Sequence, residues 1–403
     1  MAETSSDLPL NDNDNLPHIP IEIVSDEEMA LIEAALASAR SLTSLPSSSP
    51  QFRPNPKSPL KSILLLSKRT LSRCTQSDIE DPPNLIATQK RSRVAESYLR
   101  RFRKNRGLAV TDITSTEWCQ KQMEFTLRYG AQKTNEAMKA GIARHIKLEE
   151  EVIKRVEVKV KSREDFWALK FINFIYGVNQ LQFEGLTREL PIIGCVEGVW
   201  MVGVIDEIQL PPTLTDHNPI LIDTKTRSRD TLPSEPQRRN GRLQLMCYKY
   251  LWDNSVACDF PSEQFFEFFR LKPQHSLSED LKMSGADSGF TISTLDDVVV
   301  YYKHTCSTLA SAHDQLLLRY ESQKDHSLLG EDKFSYDGKW VKDQIQSCLK
   351  FWLGEEEASY APEDERWKCQ FCQFASACPA YTDADRTKAL PSNDSNIKES
   401  QNR

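Results

Sequence analysis

The amino-acid sequence predicts an α/β fold in which a central mixed β-sheet is flanked by helices. Three observations carry this expectation. Leu190–Val196, Gly198–Gln209 and Pro219–Thr226 are apolar runs rich in β-branched residues and bounded by turn formers, so they read as successive strands. Helical patterns surround them, at Thr114–Tyr129, Thr134–Ile153, Glu164–Tyr176 and Leu243–Trp252. A chain of 403 residues, 27% charged and 39% hydrophobic, is long enough for one large globular domain or two ordinary ones.

In chain order, residues 1–85 read as a disordered region with an acidic head and then a Ser/Pro-rich stretch, 86–385 as one folded domain, and 386–403 as a disordered tail. Within the head, Ser25–Arg40 suits a short helix, with Ser25 as N-cap and acids in the first turn. Residues 41–60 hold six Ser and five Pro, a composition that cannot bury enough surface to offset chain entropy. Lys90–Arg106 carries eight Lys/Arg and one acid, Glu96. It reads as a basic helix, equally suited to be a solvated face, an import signal or a strip that holds phosphates. Val156, Val158 and Val160 alternate with charged residues and predict a strand. The turn at Glu197–Gly198 makes the next two strands neighbours in a meander. Phe265–Leu271 reads as a further strand, and helices are expected over 295–322 and 338–353.

The net charge of −7 is unevenly placed: residues 1–40 hold nine acids and one base, and the remainder is close to neutral. An acidic average therefore does not exclude a nucleic-acid partner. No apolar run approaches the roughly eighteen residues of a membrane span. The acidic start reads as neither a signal peptide nor an Arg-rich transit peptide. Ten cysteines without a secretory signal point to thiols or metal ligands inside a cell.

The chemistry concentrates in VGVIDEIQL and PILIDTKTR. Asp206 interrupts one apolar strand, and Asp223 and Lys225 stand two apart on the next, where side chains share a face. Ionisable groups on apolar strands are costly unless paired or bound to metal, and a divalent cation relieves the repulsion of neighbouring carboxylates. Such a set holds Mg²⁺ (or Mn²⁺) for phosphodiester hydrolysis, with Lys225 orienting water or neutralising charge. A purely structural Asp–Lys ion pair is the competing reading, since D-x-K is a common spacing. His145 and Glu149, four apart on one helical face, are candidate further metal ligands. Gln244 and Tyr248 likewise share a face amid Arg238, Arg239 and Arg242, and are candidates for DNA contact or for bracing the strand.

Cys369, Cys372 and Cys378 form C-x₂-C-x₅-C followed by Pro, and Cys119 beside Trp118 is the candidate fourth ligand. Zinc and an iron–sulfur cluster both suit this spacing. The aromatic flanks Trp367, Phe371, Phe374 and Tyr381 favour [4Fe–4S].

Taken together, these residues resemble the exonuclease V family, in the RecB-like branch of the PD-(D/E)XK nucleases. The resemblance spans roughly residues 95–385 and rests on Gly141-x₃-His145-x₃-Glu149, Asp206, Asp223-x-Lys225, Gln244-x₃-Tyr248 and the one-plus-three cysteines. It implies a restriction-endonuclease-like core, a metal-dependent exonuclease of single-stranded DNA, a structural [4Fe–4S] cluster and a role in DNA repair. Expected partners are single-stranded DNA and single-strand-binding proteins, for a monomeric protein without membrane attachment. The expected location is the nucleus, with a mitochondrion or chloroplast as the alternative. Asp223 departs from the glutamate that animal members carry. No G-x-x-x-x-G-K-[ST] occurs, so no P-loop ATPase is fused to the chain. A catalytically silent DNA-binding or zinc-scaffold protein on the same fold is the alternative.

Overall fold

A computed structural model describes residues 96–130, 135–153, 158–211, 218–257, 260–287 and 291–381. The expectations for residues 1–85 and 386–403, and for the basic strip before Glu96, lie outside the described residues.

Among the described residues six strands form one mixed sheet: β1 (Leu108–Ala109), β2 (Leu186–Val196), β3 (Val199–Gln209), β4 (Ile220–Arg227), β5 (Gln315–Ser322) and β6 (Leu328–Ser335). β2 and β3 form an antiparallel hairpin in one register, from Leu186↔Gln209 to Val196↔Val199, broken only at Glu189. The two-residue turn Glu197–Gly198 closes it with φ 49° and 78°, the left-handed pair that matches the strands' twist. The other side of β3 is shared. β1 runs parallel to it at Met201 and Val202, whereas β4 runs antiparallel to it from Glu207 to Gln209. β3 therefore forks between Val202 and Glu207, and Asp206 stands in the fork. β4 pairs in parallel with β5, and β5 antiparallel with β6.

Helices complete the domain: α1 (Val110–Trp118), α2 (Gln120–Tyr129), α3 (Glu136–Glu150), α4 (Arg163–Glu184), α5 (Glu235–Ala257), α6 (Ser262–Phe269), α7 (Glu279–Asp287), α8 (Leu295–Ser307) and α9 (Gly338–Leu353). α4 begins at a capping box in which Ser162 accepts from the Asp165 amide and Asp165 accepts from the Ser162 amide. Its face bearing Trp167, Phe171, Phe174 and Val178 is buried, and the helix packs between β2 and α8. Each large side chain buried in this way contributes roughly 1.5–3 kcal/mol. α5 is buried over most of its circumference, as a helix at the centre of the domain must be.

The structure corrects four sequence expectations. Phe265–Leu271 is not a strand: Phe265, Phe266 and Phe269 are buried at helical spacing, and α6 sets Phe265 and Phe269 against Trp167 and Trp200. Aromatic content suggested a strand where the spacing was helical. The helix expected over 295–322 stops at Ser307, and β5 follows, its buried Leu316, Leu318 and Tyr320 alternating at the period of a strand. Val158 is a core residue on irregular chain, and the Lys159 amide donates to the Asp280 carboxylate and not to a strand. The helix expected over 114–129 is two helices, broken by extended backbone at Cys119 (φ −170°, ψ 111°). The described end of the basic strip is a single π-type turn, Leu99–Arg103, whose Arg103 is buried in a two-bond ion pair with Asp112.

Candidate metal centre and cysteine site

The fork in β3 and the helix α3 build the first site. Extending the β3–β4 register by one step sets Asp206 opposite Asp223, and the Asp206 carboxylate accepts from the Thr224 amide at 3.4 Å. α3 lies close to β4 because Gly141 faces it: a Cβ there would stand 3.3 Å from Thr226 Oγ1. One turn later His145 Nδ1 is 3.8 Å from Asp206 Oδ2 and 3.4 Å from Glu189 Oε1.

Glu189 completes a group that sequence reasoning missed. His145, Glu189 and Asp206 offer ligand atoms that all lie within 4.8 Å of one another. Glu189 occupies the left-handed region at φ 50°, which interrupts the β2–β3 ladder between Arg188↔Glu207 and Leu190↔Ile205. A non-glycine residue held so costs on the order of 1–3 kcal/mol, a strain typical of functional sites. Its signal in the sequence was weak, an acid next to Arg188 at the polar start of a strand that turns apolar from Leu190. Glu149, expected in this role, is buried but stands outside the group.

Electrostatics mark the site as cation-hungry. Burial pushes Asp206 well above the ordinary carboxylate range and the Asp223 charge adds to this, while His145 and Lys225 oppose it. Asp223 is fully buried, and neither of its carboxylate oxygens accepts a hydrogen bond. Lys225 Nζ lies 3.0 Å from Asp223 Oδ1 as an ion pair without hydrogen-bond alignment, and donates to Gln244 Oε1 at 2.9 Å. Gln244 in turn donates to the Tyr248 hydroxyl at 3.3 Å, and the Tyr248 ring fills the space left by Gly203, where a Cβ would come within 2.5 Å of it. Of the two roles expected for Gln244 and Tyr248, the geometry supplies the brace. A buried carboxylate that accepts no hydrogen bond, beside three converging ligand side chains, fits a divalent cation.

The three arginines of α5 differ. Arg239 is occupied by Glu117 and Glu365, and Arg242 by Glu235 and Asp332. Arg238 pairs with Glu235 at 2.9 Å, and its charge reaches Tyr320, the register partner of Lys225. Burial pushes the Tyr320 hydroxyl up to about 12.

The second site is a cavity lined by all four expected cysteines, Cys119, Cys369, Cys372 and Cys378, together with Phe125, Ala361, Lys368 and Ala375. The break between α1 and α2 turns Cys119 inward, where its sulfur caps α2 by accepting from the Gln122 amide at 3.4 Å. The other three lie on two short 3₁₀ segments, Glu363–Phe371 and Ala375–Ala377, and the residues that end them. Burial raises the Cys372 thiol, with Cys119 and Cys378 adding. Among the described residues no three of these sulfurs lie within 4.8 Å of one another.

Residues 97–217, 211–290 and 290–379 match a protein-family model described as "Exonuclease V - a 5' deoxyribonuclease". The chain is 27% identical over 288 residues to Exonuclease V of Danio rerio, covering 70% of this chain and 72% of that protein. It is also similar to "Exonuclease V, mitochondrial" of Candida dubliniensis, 35% identical over 65 residues, which are 16% of this chain and 10% of that protein.

Proposed function

Because this chain belongs to the exonuclease V family, we propose that its forked-strand site hydrolyses the phosphodiesters of single-stranded DNA with the help of a divalent cation. The observation that carries the reading is the buried Asp223 carboxylate, which accepts no hydrogen bond and stands opposite an Asp206 whose carboxyl is pushed upward. Asp206, Asp223, Glu189 and His145 are the residues that would hold Mg²⁺ or Mn²⁺. Such an ion supplies positive charge at the scissile phosphate and acidifies water. Lys225, held between Asp223 and Gln244, keeps an ammonium at the mouth of the site, where it orients the attacking water and offsets charge that develops on the phosphoryl oxygens. Gln244 and Tyr248 fix the direction of that ammonium. Arg238 stands beside this group and meets the phosphate chain of a bound strand.

The cysteine cavity fits a [4Fe–4S] cluster. Tetrahedral zinc draws thiolates to within about 4 Å of one another, whereas these four ring a wider space. Its role is structural: it fastens Cys119 to the chain's far end, so that binding energy becomes folding energy. The chain acts as a monomer on single strands exposed during DNA repair, in company with single-strand-binding proteins. The nucleus is its proposed location, and the mitochondrial name of the Candida relative supports the organelle as the alternative.

Release of nucleotides from single-stranded DNA by anaerobically purified protein, with and without Mg²⁺, tests the reading. Asp206→Ala, Asp223→Ala and Lys225→Ala are expected to abolish release and to leave strand binding within about threefold. A protein that contains zinc without iron and releases nothing with Mg²⁺ would be the catalytically silent scaffold.

A further inference from the structure

The two chain segments that bring the cysteines together are both tied to one turn of α5. Glu117, just before Cys119, accepts from Arg239 Nε at 2.9 Å and from Asn240 Nδ2 at 3.0 Å. Glu365, one turn before Cys369, accepts two further bonds from the same guanidinium, at 2.8 and 3.1 Å, and one from Lys368. Lys368 is buried, lies 4.0 Å above the Trp118 ring and donates to the Trp118 carbonyl at 3.4 Å. Asn240 also donates to the Thr114 carbonyl at 2.7 Å. Residues 240, 244 and 248 recur every four positions and form one stripe of the helix. The turn clamped by Arg239 and Asn240 is therefore stacked directly before the turn that presents Gln244 to Lys225.

We infer that Arg239 and Asn240 are positioning residues that couple the four-cysteine site to the catalytic ammonium. The two cysteine-bearing segments hold Glu117 and Glu365 in place, these carboxylates hold the first turns of α5, and α5 sets the height of Gln244. Releasing either carboxylate frees the helix start and lets Lys225 swing away from the carboxylate pair. A displacement of this kind acts chiefly on turnover, because it moves the brace of Lys225 directly, whereas Arg238 on the same turn keeps its own pair with Glu235. The inference rests on the nuclease reading proposed above.

The test uses the full chain, purified anaerobically, with iron, sulfide and zinc measured per chain. Hydrogen–deuterium exchange is followed in the peptide spanning 239–248 for the wild type, Cys372→Ser and Arg239→Gln. Exchange there is expected to rise about tenfold in both variants while β2 peptides stay protected. In steady state Arg239→Gln is expected to lower kcat about tenfold with KM within about twofold and metal content unchanged, and Arg239→Gln/Gln244→Ala to be no slower than Gln244→Ala alone. The inference is overturned if the activity of Arg239→Gln falls only in proportion to lost metal, if the two substitutions multiply, or if exchange in 239–248 is unmoved. Should Cys372→Ser fail to fold, the Arg239→Gln arms decide. A wild type that releases no nucleotide refutes the nuclease reading by itself, and the exchange arms still decide whether the cysteine site and α5 are coupled.

Discussion

Glu365→Gln removes one charge from the buried junction between the cysteine-bearing segment and α5. Glu365 is 8% exposed and accepts from both Arg239 and Lys368, of which Arg239 comes first in holding its carboxyl down to about 2 from an ordinary 4.5. A depression of that size corresponds to about 3 kcal/mol at neutral pH. The Arg239 side chain is 35% exposed, so solvent screens part of this, and about 2 kcal/mol is the expected loss. The sign follows from the direction of the shift. A carboxyl depressed in the fold adds stability above its unfolded pKa and loses it as pH falls toward the folded value, here between 4.5 and about 2. Urea unfolding of wild type and variant at matched metal content is therefore expected to show a gap of about 2 kcal/mol from neutrality down to about pH 5, narrowing by about 1 kcal/mol at pH 3, with unchanged slopes. A gap below about 0.5 kcal/mol, or one that does not change with pH, would refute the argument that ion pairing at Glu365 fastens this segment.

Gly141→Val places a branched side chain where even a Cβ meets Thr226 Oγ1 at 3.3 Å, so α3 must withdraw from β4 and carry His145 from Asp206. Titration of nucleotide release with Mg²⁺ should show a requirement raised about tenfold, met again at high Mg²⁺. Glu189→Gly relieves the backbone at φ 50° and deletes a ligand; the metal-free chain should unfold about 1 kcal/mol later in urea while Mg²⁺ binding by calorimetry weakens. Gly203→Ala sets a Cβ within 2.5 Å of the Tyr248 ring, and kcat should fall about tenfold through displaced Gln244 and Lys225, with strand affinity by anisotropy unchanged.

Local signals carried far along this chain. Apolar runs and turn chemistry located β2, β3 and β4, and ionisable groups within those apolar strands marked Asp206 and Asp223, because burying a charge is costly wherever the strand ends up. The C-x₂-C-x₅-C spacing identified three of the four cysteines around one cavity, and the thiol beside Trp118 supplied the fourth. Short-range periodicity failed where composition and spacing disagreed, as in the phenylalanines of α6, and where a helix and a strand followed one another without a strong break, as between Ser307 and Gln315. What only the tertiary structure decided is which distant groups meet. Glu189 joins His145 through a left-handed residue in β2, and Arg239 finds Glu117 and Glu365 across more than a hundred residues. Spacing along a chain specifies neighbours within a turn or a pleat, but a partner brought in by packing leaves no mark at a fixed distance in the sequence.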